Sequence, residues 1–166
     1  GQIQLRSEAC MLGYLEDPQA TSPAYTADGW YRSGDLARVD DDGYYYVVDR
    51  LKDLITTGGE NVYSKEVEDA LSPHPDLADV AVIGRPHPEW GETVVAVVVP
   101  RAGRRPSADV LKSFLADKLA RYKIPREYVV VDALPRTPSG KLQKHLIREQ
   151  GPPAELPLST SKDIHA

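Results

Sequence analysis

The stretch DRLKDLITTGGENVYSKEVE, residues 49–68, divides the chain into two parts of different character. It passes from a strand-like segment through a charged junction and a short β-branched piece to Gly58 and Gly59, and then into an acidic helix start. Because glycine has no Cβ, this pair allows positive φ or lets another molecule approach the backbone closely. An ordinary turn and a binding loop are both open from these residues alone.

The chain before this junction is rich in strand-like segments. Residues 1–51 contain alternating segments and a hairpin signal around the acidic triplet 40–42, but too few strands for an independent sheet. Between them, residues 18–28 are polar and turn-rich, which predicts a loop. We interpret residues 1–51 as the β-rich end of a larger domain and expect the chain to be a fragment, since it opens without methionine inside a strand-like segment.

The chain after the junction carries a self-contained pattern of strands and helices. Its predicted elements are three valine-rich strands (79–84, 93–99 and 127–131), helices that begin at Ser64 and Ser107, and a final helix over 141–149. The predicted fold class is α+β, with residues 52–150 forming a small C-terminal domain of a three-stranded sheet and flanking helices. Residues 151–166 combine prolines and serines without periodicity, which predicts a flexible tail.

Composition narrows the possible partners. The net charge is −5 over 166 residues, and no basic cluster or basic amphipathic stretch occurs, which argues against nucleic acid or an anionic membrane as the main partner.

The single cysteine, Cys10, cannot form an internal disulfide and fits a reducing compartment. Without an apolar run of membrane-spanning length or a signal peptide, we expect a cytoplasmic protein. The four histidines lack metal-ligand spacing, so we expect no metal site formed by the protein.

Two further motifs contain residues suited to chemistry. In YRSGDL, residues 31–36, the carboxylate of Asp35 can accept two hydrogen bonds, as the vicinal hydroxyls of a ribose require. In PRTPSGK, residues 135–141, Lys141 provides a compact charge on a flexible stem that suits a phosphate in reaction. Taken singly, Asp35 could equally bond its own turn, and Lys141 could be a solvated lysine at a helix start.

The three motifs together, in this order and spacing, resemble the carboxyl-terminal third of the adenylate-forming enzymes, which include acyl-CoA synthetases, peptide-synthetase adenylation domains and luciferases. The resemblance covers residues 1–150. It implies that Asp35 and Arg50 bind the nucleotide, that Lys52 is the hinge about which the small domain rotates, and that Lys141 serves adenylate formation.

The run Gly58, Gly59, Glu60 and Asn61 is similar to that of acyl-CoA synthetases, where the loop lines the pantetheine tunnel. Two glycines leave room for a thin alkyl-amide arm beside the bare backbone. Ser64 departs from the proline that is common in this pattern, and we expect little consequence because serine also starts helices well.

The resemblance implies an ATP-dependent acid–CoA ligase, in which a carboxylic acid and ATP give an acyl-adenylate, and CoA then releases AMP. Its substrates would be a carboxylic acid such as a fatty acid, ATP with Mg²⁺, and CoA, bound mainly by a large amino-terminal domain. Because most of that holding surface is absent, we expect the chain alone to be inactive. Two alternatives are open: an adenylation domain that loads a carrier-protein thiol, and a non-catalytic docking module.

Overall fold

The computed structural model of the chain describes residues 1–150, and only the backbone of the last of these. The chain divides into two compact units, one formed by Gly1–Lys52 and one that begins at Asp53. The tail predicted at 151–166 lies outside the described residues. No helix within residues 1–150 is both long enough and apolar enough to cross a membrane.

The first unit is built on a three-stranded antiparallel sheet. Its strands are β1 (Gln2–Leu5), β2 (Tyr31–Val39) and β3 (Tyr45–Arg50), in the order β1-β2-β3. The predicted hairpin is present between β2 and β3. Its turn is closed by the Asp40 carboxylate, which accepts hydrogen bonds from the N–H groups of Asp42 and Tyr44 at 3.1 and 2.9 Å.

The loop predicted over residues 18–28 is wrong for its first part, because Pro18–Ala24 form helix α1. The Asp17 carboxylate caps this helix by accepting the N–H of Ala20 at 2.8 Å. Pro18 occupies the first helical position, where its lack of an N–H has no cost. Pro18 was therefore interpreted as part of a loop, although it begins a short helix.

As far as residue 150, where the description of the chain ends, the second unit is a five-stranded sheet with three α-helices. Its elements are β4 (Leu54–Thr57), β5 (Glu60–Tyr63), α2 (Ser64–Leu71), β6 (Leu77–His87), β7 (Gly91–Pro100), α3 (Ala108–Leu115), β8 (Glu127–Val130) and α4 (Lys144–Gln150). The strands run in the order β5-β4-β7-β6, and β8 pairs with β7 in parallel. The α+β class is confirmed, and the sheet has two strands more than the three predicted, because residues on both sides of Gly58-Gly59 form a hairpin.

The central strand β7 organises this sheet. One edge of β7 pairs with β6 along its whole length, from Gly91 to Pro100. Its other edge pairs with β4 at Gly91 and with β8 from Val95 to Val98. The predicted valine-rich strands are therefore neighbours, and the β4–β5 hairpin is attached at the beginning of β7.

Alternation along the strands produces two apolar layers, one on each face of the sheet. One layer contains Val82, Val94, Ala96 and Val98 and is covered by Val67 and Leu71 of α2 and by Leu111 and Leu115 of α3. The other contains Ala81, Ile83, Val95 and Val97 and is covered by Leu134 and by Ile147 of α4. Fully burying one such aliphatic side chain contributes about 1.5–3 kcal/mol, so these layers supply most of the stabilisation.

The predicted helix starts have different outcomes. Ser107 caps α3 by accepting the N–H of Val110 at 3.3 Å, as its position predicts. Ser64 is not the N-cap of α2. It is the fully buried first helical residue, and Tyr63 stands at the cap without a side-chain hydrogen bond. The final helix begins at Lys144 instead of residue 141, because the preceding residues close a loop of their own.

Candidate functional site

Asp35 and Arg50, both predicted to bind a nucleotide, face each other across β2 and β3. The Nε atom of Arg50 lies 3.4 Å from Oδ1 of Asp35, with side-chain exposures of 46% and 34%. The backbone N–H of Asp35 donates to the Ser33 hydroxyl at 3.0 Å, and Gly34 supplies the positive φ of 78° between them. The pair therefore presents an accessible carboxylate and a guanidinium side by side on one antiparallel ladder.

Lys52 lies in the short 3₁₀ helix Leu51–Asp53, at the boundary between the two units. Its side chain is exposed and forms no hydrogen bond or ion pair with the described residues. Asp49 and Asp53 on either side are both buried, at 8% and 7% exposure. Arg50, Leu51 and Lys52 are all exposed between these two carboxylates, so this part of the connection has few packing constraints.

Gly58 and Gly59 are the two loop residues of the β4–β5 hairpin, whose last pair is Thr57 with Glu60. Their φ angles are 59° and 83°, so both are left-handed, as a type I′ hairpin turn requires. A Cβ built on either glycine would meet no atom within 4 Å. The glycines are therefore needed for backbone conformation, and they leave a strip of open backbone at the hairpin tip.

Glu60 and Asn61 follow the turn and are both exposed. Asn61 pairs with Thr56 across the hairpin, and its Oδ1 accepts the Thr56 hydroxyl at 3.5 Å. The backbone N–H of Thr56 donates to the Glu92 carboxylate at 2.8 Å. All four residues predicted to line the pantetheine tunnel thus lie together on one hairpin end that is attached to β7.

Lys141 ends a tightly closed loop. The Thr137 N–H donates to the Lys141 carbonyl at 2.8 Å, and the Lys141 N–H donates to the Thr137 hydroxyl at 3.0 Å. Gly140, with φ of 84°, completes the turn. The Lys141 side chain is exposed and has no ion-pair or hydrogen-bond partner among residues 1–150. The loop is therefore a defined turn that presents a cation without a partner among these residues.

Arg136 attaches this loop to the sheet. Its guanidinium donates to the Gly140 carbonyl at 2.8 Å and to the Asp79 carboxylate at 2.7 Å. Asp79 is paired with Val99, near the end of β7. The loop of Lys141 is therefore fixed beside the far end of the strand from the Gly58-Gly59 hairpin.

The two candidate elements of the second unit lie at opposite ends of β7. The hairpin is joined to Gly91, the first residue of β7, and the Lys141 loop to the Asp79–Val99 pair. Eight residues of extended strand between Gly91 and Val99 span about 26 Å. The Gly58-Gly59 hairpin and the Lys141 loop are therefore attached about 26 Å apart along β7.

Sequence reasoning missed the residues that hold the hairpin in place. The Gly58 N–H donates to the Trp90 carbonyl at 2.9 Å. The Trp90 ring stacks with the His87 ring at 4.1 Å and an angle of 7°, and the Arg126 guanidinium lies 3.3 Å from its centroid. The sequence signal that could have indicated this support is the tryptophan in the proline-rich loop directly before Gly91.

Two other features of the second unit bear on the site. A mostly apolar cleft of about 690 Å³ lies between β6 and α4, lined by Ile83, Val97, Leu134 and Ile147 among others, and none of the predicted site residues lines it. Within residues 1–150, no group of three or more His, Cys, Asp or Glu side chains is arranged to hold a metal ion.

Both the sequence and the fold of the chain are similar to those of known proteins. Residues 66–141 match the sequence model of the AMP-binding enzyme C-terminal domain. Over 150 residues the chain is 47% identical to a feruloyl-CoA synthase of Amycolatopsis sp., covering 90% of this chain and 30% of that protein. It is 46% identical over 149 residues to an indoleacetate–CoA ligase of Aromatoleum aromaticum, covering 90% and 29%.

Among solved structures, the chain is similar to ATP-bound MatB from Rhodopseudomonas palustris, with a TM-score of 0.83 and 38% identity, covering 90% of this chain and 30% of that one. The chain thus spans 30% or less of the length of the curated relatives it matches here.

Proposed function

We propose that the chain is the carboxyl-terminal part of an ATP-dependent acid–CoA ligase, because its residues 66–141 belong to the AMP-binding enzyme C-terminal domain family. The family match confirms the resemblance predicted from the three motifs. In the proposed reaction, a carboxylate attacks the α-phosphate of ATP and releases pyrophosphate. The CoA thiolate then attacks the acyl carbon of the adenylate, and AMP leaves.

In the first half-reaction we assign Lys141 to charge stabilisation. Negative charge spreads over the α-phosphate and the attacking carboxylate, and a preorganised cation stabilises it. Support comes from the closed turn that fixes the Lys141 backbone and from its side chain, which has no partner among residues 1–150. Asp35 and Arg50 are assigned to the ribose and phosphate oxygens of the nucleotide, a proposal supported by their direct pairing.

In the second half-reaction we assign Gly58, Gly59, Glu60 and Asn61 to the pantetheine arm of CoA. Support comes from the open backbone at the hairpin tip, where a Cβ on either glycine would meet nothing within 4 Å. A side chain at these positions would occupy the space that a thin arm requires, and would strain the left-handed backbone. Lys52 is assigned to the hinge because it is exposed between two buried aspartates.

The observation that carries the proposal is the separation of the two elements along β7. Since the hairpin and the Lys141 loop are fixed at opposite ends of one sheet, each half-reaction uses a different end of the unit. A rotation of the second unit at Lys52 would bring the Lys141 loop and the β4–β5 hairpin in turn to the same bound adenylate. Mg²⁺ is proposed to enter with ATP and to neutralise its phosphates. The cytoplasmic location and a role in fatty acid metabolism are further parts of this proposal.

The test is a chimera in which this chain replaces the matching 150 residues of the Amycolatopsis feruloyl-CoA synthase. We expect the chimera to form feruloyl-CoA with release of pyrophosphate, and the 166-residue chain alone to release none. A chimera that adenylates but accepts only a carrier-protein thiol would support the alternative adenylation domain. A folded chimera without either activity would favour the docking module.

Lys141→Ala in this chimera separates the half-reactions. Loss of one preorganised charge should slow adenylate formation by about 10²-fold to 10³-fold, the cost of removing an oxyanion donor. Thioester formation from supplied feruloyl-adenylate should be largely retained. Lys112→Ala, on α3, is the matched control and should change neither. Equal loss of both half-reactions would make Lys141 a structural residue.

A further inference from the structure

Helix α4 is joined by ion pairs to two distant parts of the second unit. Arg148 Nη2 lies 2.7 Å from Asp53 Oδ1, a contact between residues 95 positions apart. Lys144 Nζ lies 2.7 Å from Glu68 Oε1 and donates to the Ser64 hydroxyl at 2.8 Å. The helix that follows the Lys141 loop is therefore attached to the first residue of the unit and to the start of α2.

The burial of these pairs distinguishes them from ordinary surface contacts. The side chains of Asp53 and Arg148 are 10% and 29% exposed, and those of Glu68 and Lys144 are 14% and 11% exposed. Exposed pairs contribute little to stability, but a nearly buried carboxylate that loses its partner is left as an uncompensated charge. The Asp53 carboxylate therefore strongly favours conformations in which Arg148 is in reach.

This attachment has a direct effect on the connection between the units. Asp53 is the last residue of the 3₁₀ helix and directly precedes β4, whose first residue Leu54 pairs with Tyr63. On the other side, Asp49 is buried in β3. Leu51 and Lys52 are exposed between these two points, and Leu51 retains 47% of its surface.

We propose that Arg148 is a positioning residue that holds Asp53 to α4 and thereby confines rotation between the units to Leu51 and Lys52. The use of this ion pair in catalysis rests on the proposed function. There, the ion pair makes the Lys141 loop, α4 and the β4–β5 hairpin rotate together as one body. Both ends of β7 then rotate together with the rest of the second unit. The ion pair itself exists in the chain whatever reaction the chain serves.

The primary test is amide hydrogen exchange on the 166-residue chain, which needs no ligase activity. In Arg148→Gln, the amides of Asp53 and Leu54 should lose protection by roughly tenfold to hundredfold, the range for a charge-assisted hydrogen bond. The central amides of β7, such as Val97, should keep theirs. Arg148→Lys should recover part of the protection, because the charge remains but the planar guanidinium donor is lost.

The matched control is Arg85→Gln, which removes the Arg85–Glu127 ion pair, whose side chains are 27% and 39% exposed. It should leave the Asp53 and Leu54 amides unchanged. Unchanged protection of these amides in Arg148→Gln would overturn the proposal. An equal loss at Asp53, Leu54 and Val97 would also overturn it, because Arg148 would then stabilise the unit as a whole.

A second measurement concerns catalysis. In the chimera, Arg148→Gln should lower steady-state thioester formation more than single-turnover adenylate formation. The reason is that the substitution affects the rotation between the two half-reactions, which only the steady-state reaction requires. An inactive parent chimera would contradict the proposed function and leave the exchange result intact. An active parent with equal loss of both activities in Arg148→Gln would contradict the coupling of α4 to the pivot.

Discussion

The amide N–H of Gly58 donates a 2.9 Å hydrogen bond to the carbonyl oxygen of Trp90, and this bond links the tip of one hairpin to the loop of the next. Trp90 is held in turn by His87 and Arg126, which both contact its ring. The open glycine backbone thus has a rigid support that is not part of the hairpin itself.

Trp90→Ala should loosen the hairpin tip. Loss of the cation–π and stacking contacts should lower the free energy of unfolding by about 1–3 kcal/mol, and the Gly58 amide should exchange faster. Urea denaturation and amide exchange measure the two effects. Trp30→Ala is the control, because Trp30 also carries an arginine, Arg6, over its ring but lies in the first unit. Unchanged exchange at Gly58 in Trp90→Ala would show that the hairpin holds its own shape.

Lys52→Pro tests the hinge. Proline fixes φ near −65°, so a residue that must adopt two backbone conformations can keep at most one of them. In the chimera we expect adenylate formation to be largely retained and CoA transfer to be lost, the reverse of the Lys141→Ala result. Pyrophosphate release and acyl-CoA formation are measured on the same preparation. Lys52→Ala should retain both, and a parallel loss in Lys52→Pro would exclude Lys52 as the pivot.

The ion pair of Lys123 with Glu66 gives a pH dependence of stability. Hydrogen bonds of 2.7 and 2.8 Å to both carboxylate oxygens raise the pKa of Lys123, although burial acts in the opposite direction. A pKa that is higher in the folded state stabilises the fold below the unfolded value of about 10.4, and this stabilisation is lost as the pH rises through the folded value.

The difference in unfolding free energy between the wild type and Lys123→Gln should therefore be constant from neutral pH to about pH 10 and shrink above it. Urea denaturation across this range measures it. A difference that grows above pH 10 would contradict the assigned pKa direction.

Tyr128→Phe should be neutral or stabilising. The Tyr128 hydroxyl is buried and has no hydrogen-bond partner among the described residues, and burial raises its pKa. A buried polar group without a partner costs about 1–3 kcal/mol, so its removal should raise the unfolding free energy or leave it unchanged. Tyr128→Ala, which also removes the ring from the core, should be strongly destabilising. A loss above about 1 kcal/mol in Tyr128→Phe would mean that the hydroxyl forms a favourable contact.

Local patterns predicted the elements whose signals are contained in a short window. Valine-rich runs predicted β6, β7 and β8, and the serine at 107 predicted the start of α3. The β4–β5 hairpin was missed because each of its strands has only four residues, and Gly58-Gly59 alone left an ordinary turn and a binding loop both open. The final helix was predicted three residues too early, because the hydrogen bonds between Thr137 and Lys141 compete with helix formation there.

Contacts between distant residues could not be predicted in this way. The parallel pairing of β8 with β7 depends on the path of the chain through α3, and nothing within β8 specifies it. Likewise, Arg148 and Asp53 are 95 residues apart, and both appear as ordinary charges in the sequence. Asp35 and Arg50 are an exception among the contacts between distant residues. Both were predicted to bind the same ligand, and the structure places them as neighbours on one β-ladder. Their role at the nucleotide stays a prediction.

The contact between Asp53 and Arg148 also means that the described part of the second unit begins and ends close together. A short linker could therefore join these two ends, and new termini could be opened elsewhere. The exposed residues 101–105, between β7 and α3, offer such an opening without cutting a strand or helix. The unit is accordingly suited to circular permutation, with its sheet order preserved while Asp53 and Lys141 exchange their order along the chain.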